Sequence, residues 1–240
     1  MYFTQYKKFT LLLASLTALI LGGCNNGSDK NPVVIVPPPP APVVYSYEVK
    51  IVNLTQGQPM SPAAVILHNE GQLWKIGESA SLALEKLAES GDNSEVLADA
   101  MVLSGQGGAG VLLPGATETI TVSITDTEPM MLSLATMLVN TNDAFTGINA
   151  MSLASMSMGD SMSFTTSTYD SGTEKNSEMM ATIPGPAAGG EGFNAERDDI
   201  DKVTMHAGVV SKDDGLMQSV LTQAQRFDNP TLMVTITRTQ

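Results

Sequence analysis

The chain has 240 residues, of which 25 are Asp or Glu and 12 are Lys or Arg, giving a formal net charge of −13 at pH 7. Such an acidic surface repels phosphate, which excludes a nucleic-acid partner and direct adsorption to anionic lipid, and it suits divalent cations. The single cysteine excludes an internal disulfide, so stability outside the cytoplasm must come from an apolar core or a bound ion.

Residues 1–23 read as a lipoprotein signal peptide. Lys7 and Lys8 supply the positive end, an apolar stretch follows to Leu21, and Leu21-Gly22-Gly23-Cys24 closes it with small residues before a cysteine. The apolar run falls short of the ~20 residues that a membrane span needs. Cleavage leaves Cys24 as the acylated first residue, with the lipid anchor as the membrane partner. Asn25, rather than Asp, follows it and favours the bacterial outer membrane. Loss of Lys7 and Lys8 leaves ten basic residues against 25 acidic ones, a formal charge of about −15.

Residues 24–44 form a Pro-rich tether. Pro37-Pro38-Pro39-Pro40-Ala41-Pro42 favours an extended spacer at ~3.1 Å per residue and cannot enter a compact core. Residues 45–240 then suffice for one domain, and nothing within them reads as a second linker.

The pattern over 45–240 is mainly β and predicts an antiparallel β-sandwich with a short helical insertion. Residues 45–53 alternate apolar and polar, as a half-buried strand does, and 63–68 read as a second, more buried strand. Residues 79–90 carry Leu82, Leu84, Leu87 and Ala88 close to helical spacing and stop at Gly91. Asp92-Asn93-Ser94-Glu95 resembles a capping box opening a shorter helix to Met101. These helices are expected to cover an edge or end of the sandwich, with Trp74 as the anchor of that cover. Residues 117–125, with Ile120, Val122 and Ile124 on one face, are the clearest alternating strand. A strand pair is expected between Ser161 and Tyr169, a long mobile loop over the Gly, Pro and acid-rich residues 184–201, and a closing strand over 231–238.

Several motifs offer chemistry and are weighed against plainer readings. Asp170-Ser171-Gly172-Thr173 matches the aspartic-protease signature, which would make Asp170 the working residue of a hydrolase. Those enzymes need two such aspartates sharing a proton, and one copy is present. Gly105-Gln106-Gly107-Gly108-Ala109-Gly110 fits dinucleotide-binding spacing but runs into Pro114-Gly115 instead of a helix, so a flexible loop is expected. Met151, Met156, Met158 and Met162 are a conceivable Cu(I) set, with adaptable apolar packing the plainer reading. His68 and His206 lack zinc-ligand spacing and are expected as satisfied polar groups. No nucleophile elbow occurs, so catalysis is not expected.

The segment from Met131 to Glu174 organises the rest. An apolar run to Val139, long enough for a buried strand, leads into the polar loop Asn140-Thr141-Asn142-Asp143-Ala144-Phe145-Thr146-Gly147. Later comes Tyr169-Asp170-Ser171-Gly172-Thr173-Glu174. If the intervening stretch leaves and returns as strands, both acidic clusters share one end of a sheet. Three converging carboxylates repel unless a cation neutralises them, and an all-oxygen set favours a hard cation such as Ca²⁺.

The ordered series Ser-Leu-Ala-Thr-Met, Asn-Asp-x-Phe-x-Gly and Tyr-Asp-x-Gly-Thr-Glu resembles the spondin-type domain of animal matrix proteins and bacterial lipoproteins. The resemblance also takes in the opening strand, Gln58-Pro59-Met60-Ser61-Pro62 and Asn229-Pro230. It implies a calcium-binding β-sandwich with Asp143, Asp170 and Glu174 as ligands. Where animal members usually carry Asp and Trp, this chain has Glu174 and Ala144. The function expected is a lipid-anchored, adhesion-type binding or structural module of the cell envelope, facing a protein or glycan partner.

Overall fold

The computed structural model describes residues 38–240; the expected signal peptide, Cys24 and most of the expected tether lie outside the described residues. β1 (Val44–Asn53) buries Tyr47, Val49 and Ile51 and turns the residues between them outward, the period-two pattern of a strand with one wet face. It begins at Val44, one residue inside the expected tether, because Val43 is already tied to Asp126, accepting its backbone N–H and donating its own N–H to the Asp126 side-chain Oδ1. β2 (Ala64–His68) is buried along its whole length.

α1 (Leu82–Ser90) starts where the Ser81 hydroxyl accepts the Leu84 N–H and stops at Gly91, whose φ of 72° an L side chain would resist. α2 (Ser94–Leu97) is shorter than the sequence suggested and lacks the expected capping box. The Asn93 side chain donates to the carbonyls of Pro62 and Ala63, beside β2, and so does not cap the helix.

The strands that follow are β3 (Ser104–Gly107), β4 (Thr117–Thr125), β5 (Met131–Met137), β6 (Ala144–Ser152), β7 (Ser161–Thr166), β8 (Thr168–Asp170), β9 (Thr204–Met205) and β10 (Leu232–Arg238). They form two antiparallel sheets in the orders β4-β1-β10-β7 and β3-β2-β5-β6-β8-β9. The fold is therefore the mainly β sandwich with short helices that the pattern predicts.

Two layers of core explain why β2 is buried on both faces. Val65 and Leu67 join Tyr47, Val49, Ile51, Leu132, Leu134, Val234 and Ile236 between the sheets. Ala64 and Ile66 face the other way, with Ala135 and Phe145, against Leu84, Leu87, Ala88, Val96 and Trp74. Each large side chain buried in this way contributes ~1.5–3 kcal/mol. The helices thus cover the outer face of the six-stranded sheet, not the edge or end expected of them. Trp74 does anchor them, meeting Phe145 edge-on at 5.1 Å between ring centroids.

Three further expectations are corrected. The polar loop after β5 is shorter than its composition suggests: Ala144–Gly147 is already strand, because Phe145 belongs to the second core. The strands over 161–170 do not pair with each other; β7 pairs with β10 and β8 with β6, so the chain changes sheets at Ser167. Buried hydroxyls of Thr146, Thr166, Thr168 and Thr231 bond one another at 2.6–3.2 Å around that crossing. The glycine-rich stretch at 105–110 begins as edge strand β3, paired with β2, and not as free loop.

Residues 184–201 contain no helix or strand, but the backbone is tied down. Ala187 N–H donates to Asn140, Asn194 N–H to Glu89, Asp198 N–H to the Thr173 carbonyl and Asp201 N–H to that of Gly172. Arg197 bridges Glu85 of α1 and Asp201 and donates to the Ala80 carbonyl at 2.9 Å.

Candidate metal centre

The register Ala144↔Asp170 between β6 and β8 sets Asp143, just before one strand, beside Ser171, just after the other. The two acidic segments therefore meet at one end of the six-stranded sheet. Oδ2 of Asp143 accepts the Ser171 hydroxyl at 2.8 Å, the Thr173 N–H at 2.9 Å and the Glu174 N–H at 3.1 Å, so the second segment folds around this one carboxylate. Gly172 makes the fold possible: its φ is +73°, and a Cβ there would lie 2.3 Å from the Lys202 carbonyl.

The other oxygen of Asp143, Oδ1, is buried and has no hydrogen-bond partner among the described residues. Glu174 Oε2 is in the same condition. Burial, then the neighbouring Asp170 charge, pushes the Asp143 carboxyl up to about 7 against the opposing pull of its hydrogen bonds. Glu174 rises to about 8 through burial, then the charges of Glu89 and Asp143. Such groups have two ways to satisfy themselves: take up a proton, or share a cation.

Asp170 sits differently. Its Oδ1 accepts the Gly172 N–H at 2.8 Å and its Oδ2 the Asn176 amide at 2.6 Å. Asn176 in turn accepts from His206 Nε2 at 3.1 Å, while His206 Nδ1 accepts the Gly208 N–H at 2.9 Å, which fixes the ring proton on Nε2. Burial lowers the His206 pKa although Asp170, 4.0 Å away, opposes that shift. Asp170 is thus held by neutral donors and lends the site charge more than a bare oxygen.

Sequence reasoning missed two buried acids. Glu89, on α1, gives Oε2 to the Asn194 N–H at 2.9 Å and leaves Oε1 without a partner among the described residues; burial chiefly raises its pKa. The available signal was two glutamates, Glu85 and Glu89, on the helix face that carries Leu84 and Ala88. Glu178 is also buried, with Oε1 accepting the Val210 N–H and Oε2 unpartnered among the described residues; burial lifts it to about 7.

Beside the carboxylates lies a polar cavity of about 420 Å³ lined by Asn142, Glu174, Lys175, Asn194, Glu196 and Asp198, among others. Among the described residues no three His, Cys, Asp or Glu side chains already stand as a metal-holding group. The donor chemistry nonetheless suits a hard cation, since the unpartnered atoms of Asp143 and Glu174 are both carboxylate oxygens.

No protein-family model matches this chain, and no curated protein matches it. The remaining sequence motifs resolve individually. Met156 lies in the main core with Met151 and Met162 against it, whereas Met158 is exposed, so the four thioethers do not converge. His68 is a satisfied strand-end group, bonded through Nε2 to Ser133 and through Nδ1 to the Glu70 carbonyl.

Proposed function

We propose that this chain is a lipid-anchored binding or structural module of the bacterial cell envelope, with calcium at one loop end of its β-sandwich. The observation that carries the calcium reading is the pair of buried, unpartnered carboxylate oxygens on Asp143 and Glu174. Those two residues would hold the ion, and Asp170 would add negative charge from behind Gly172 and Asn176. A bound calcium ion supplies the positive charge that these desolvated carboxylates otherwise lack.

The resemblance to spondin-type domains supports the same three residues, and the signal ending at Cys24 supports the anchor. The chain enters β1 at Val44, whereas Leu54, just past the far end of β1, bonds to Thr231, whose hydroxyl meets Thr168 and Thr146 next to the acidic pair. The carboxylates therefore lie at the end of the sandwich away from Val44, where β1 begins. Ion binding would hold those loops as a contact surface for a protein or glycan.

Thermal melting of the full chain with calcium and with chelator tests the reading. At a calcium concentration about 100 times Kd, binding adds ~2.7 kcal/mol, or ~5–10 °C in a domain of this size. Asp143→Asn keeps the shape and should abolish the shift. An unresponsive wild type, or an undiminished response in the variant, overturns the assignment.

A further inference from the structure

We propose that Glu89 supplies a third carboxylate oxygen to the cation held by Asp143 and Glu174, so that the ion clamps helix α1 to the two acidic segments of the sheet. The inference rests on the cation reading above and extends it to a residue outside the matching motifs. Glu89 is fully buried, and its Oε1 has no partner among the described residues. The Thr173 side chain lies beside it, and Thr173 also donates its N–H to Asp143 at 2.9 Å, so the helix carboxylate and the Asp143 carboxylate flank one residue, while the Glu89 charge also reaches Glu174.

Two further observations say that something positive belongs there. Glu89 sits in the last turn of α1, where the helix dipole is negative and an acid is disfavoured, and α1 has no basic residue in that turn. The cations on and beside α1 are already committed, Lys86 to Glu95 and Arg197 to Glu85 and Asp201. Glu85 and Glu89 thus lie on one helix face with different fates: the first is neutralised by the protein, the second is not. The unpartnered oxygens of Glu89, Asp143 and Glu174 are all carboxylate oxygens, the donor type that calcium takes. The three do not stand in a coordinating arrangement as they are, and the rotatable stems of the two glutamates are what would close it.

The test uses the full-length chain in detergent, titrated with calcium by calorimetry and with terbium by luminescence decay in light and heavy water, which counts the waters left on the ion. Glu89→Gln keeps the volume and an acceptor for the Asn194 N–H but removes the charge. It is expected to weaken calcium binding at least about tenfold, to add about one or two waters to bound terbium, and to raise the melting temperature of the calcium-free protein. Should Glu89→Gln not fold, Glu89→Asp retains the charge on a shorter arm and is expected to weaken binding and add water in the same sense. Wild-type affinity and water count in whichever variant folds overturn the role of Glu89 while leaving the cation site standing. A wild type that binds neither ion overturns the cation site itself.

Discussion

At the scale of single residues, the end of the sandwich that carries the acidic loops is dominated by carboxyl groups taken out of water. Glu178 isolates the consequence, because it lies outside the proposed ligand set. Its ordinary value of 4.5 is lifted to about 7 by burial. The folded state therefore holds a proton that the unfolded chain has already released between those two values. The stabilisation is fully present below pH 4.5 and is lost as pH rises through about 7, amounting to roughly 3 kcal/mol. Glu178→Gln should then melt several degrees above the wild type at pH 8 and close to it at pH 4–5, as read from melting temperature against pH. A variant less stable than wild type at pH 8 would contradict that account.

At the scale of elements, the sandwich depends on how α1 and the irregular stretch 184–201 are laid over the six-stranded sheet. Glu85 is buried on α1 with its carboxylate met by Arg197, whose guanidinium is about a quarter exposed. Arg197→Ala leaves that charge desolvated and releases the loop from Ala80 and Asp201 together. A cost of about 2–3 kcal/mol is expected, below the full value for a buried pair because water reaches the guanidinium. Urea unfolding followed by the fluorescence of Trp74, the single tryptophan, measures it directly. A change within about 0.5 kcal/mol would mean that the loop is held by its backbone bonds instead.

At the scale of the whole molecule, β1 and β10 run between two poles with different tasks. Val44 begins β1 at one pole, and Arg238, paired with Tyr47, ends the last strand at the same pole. The acidic segments occupy the other. With Cys24 acylated, the protein should stay in the membrane fraction of a Gram-negative host, since several acyl chains anchor durably where one chain does not. Cys24→Ser should move it to the soluble fraction without changing its melting temperature. A wild type that is soluble, or a variant that still sediments with membranes, would remove the anchor from the proposal. Among the described residues no helix is long and apolar enough to cross a membrane.

Local sequence determined a good deal of this protein. Alternation placed β1 and β4 nearly to the residue, because each has one face on the core and one in water, and the closing run placed β10 within one residue. Gly91 bounded α1 at its C-terminal end for reasons confined to one helical turn, whereas the start fell at the Ser81 cap and not at the expected Ser79. Tertiary structure decided the rest. The second core could not be read from the pattern, since a strand buried on both faces, such as β2, loses its period and does not say what lies on each side. The split between β7 and β8 depended on which partner strands were free to pair, a property of the whole sheet. Asp143 and Asp170 were legible through the motifs around them. Glu89 was not, because a glutamate on a helix declares itself only when folding removes its water and provides no counter-charge.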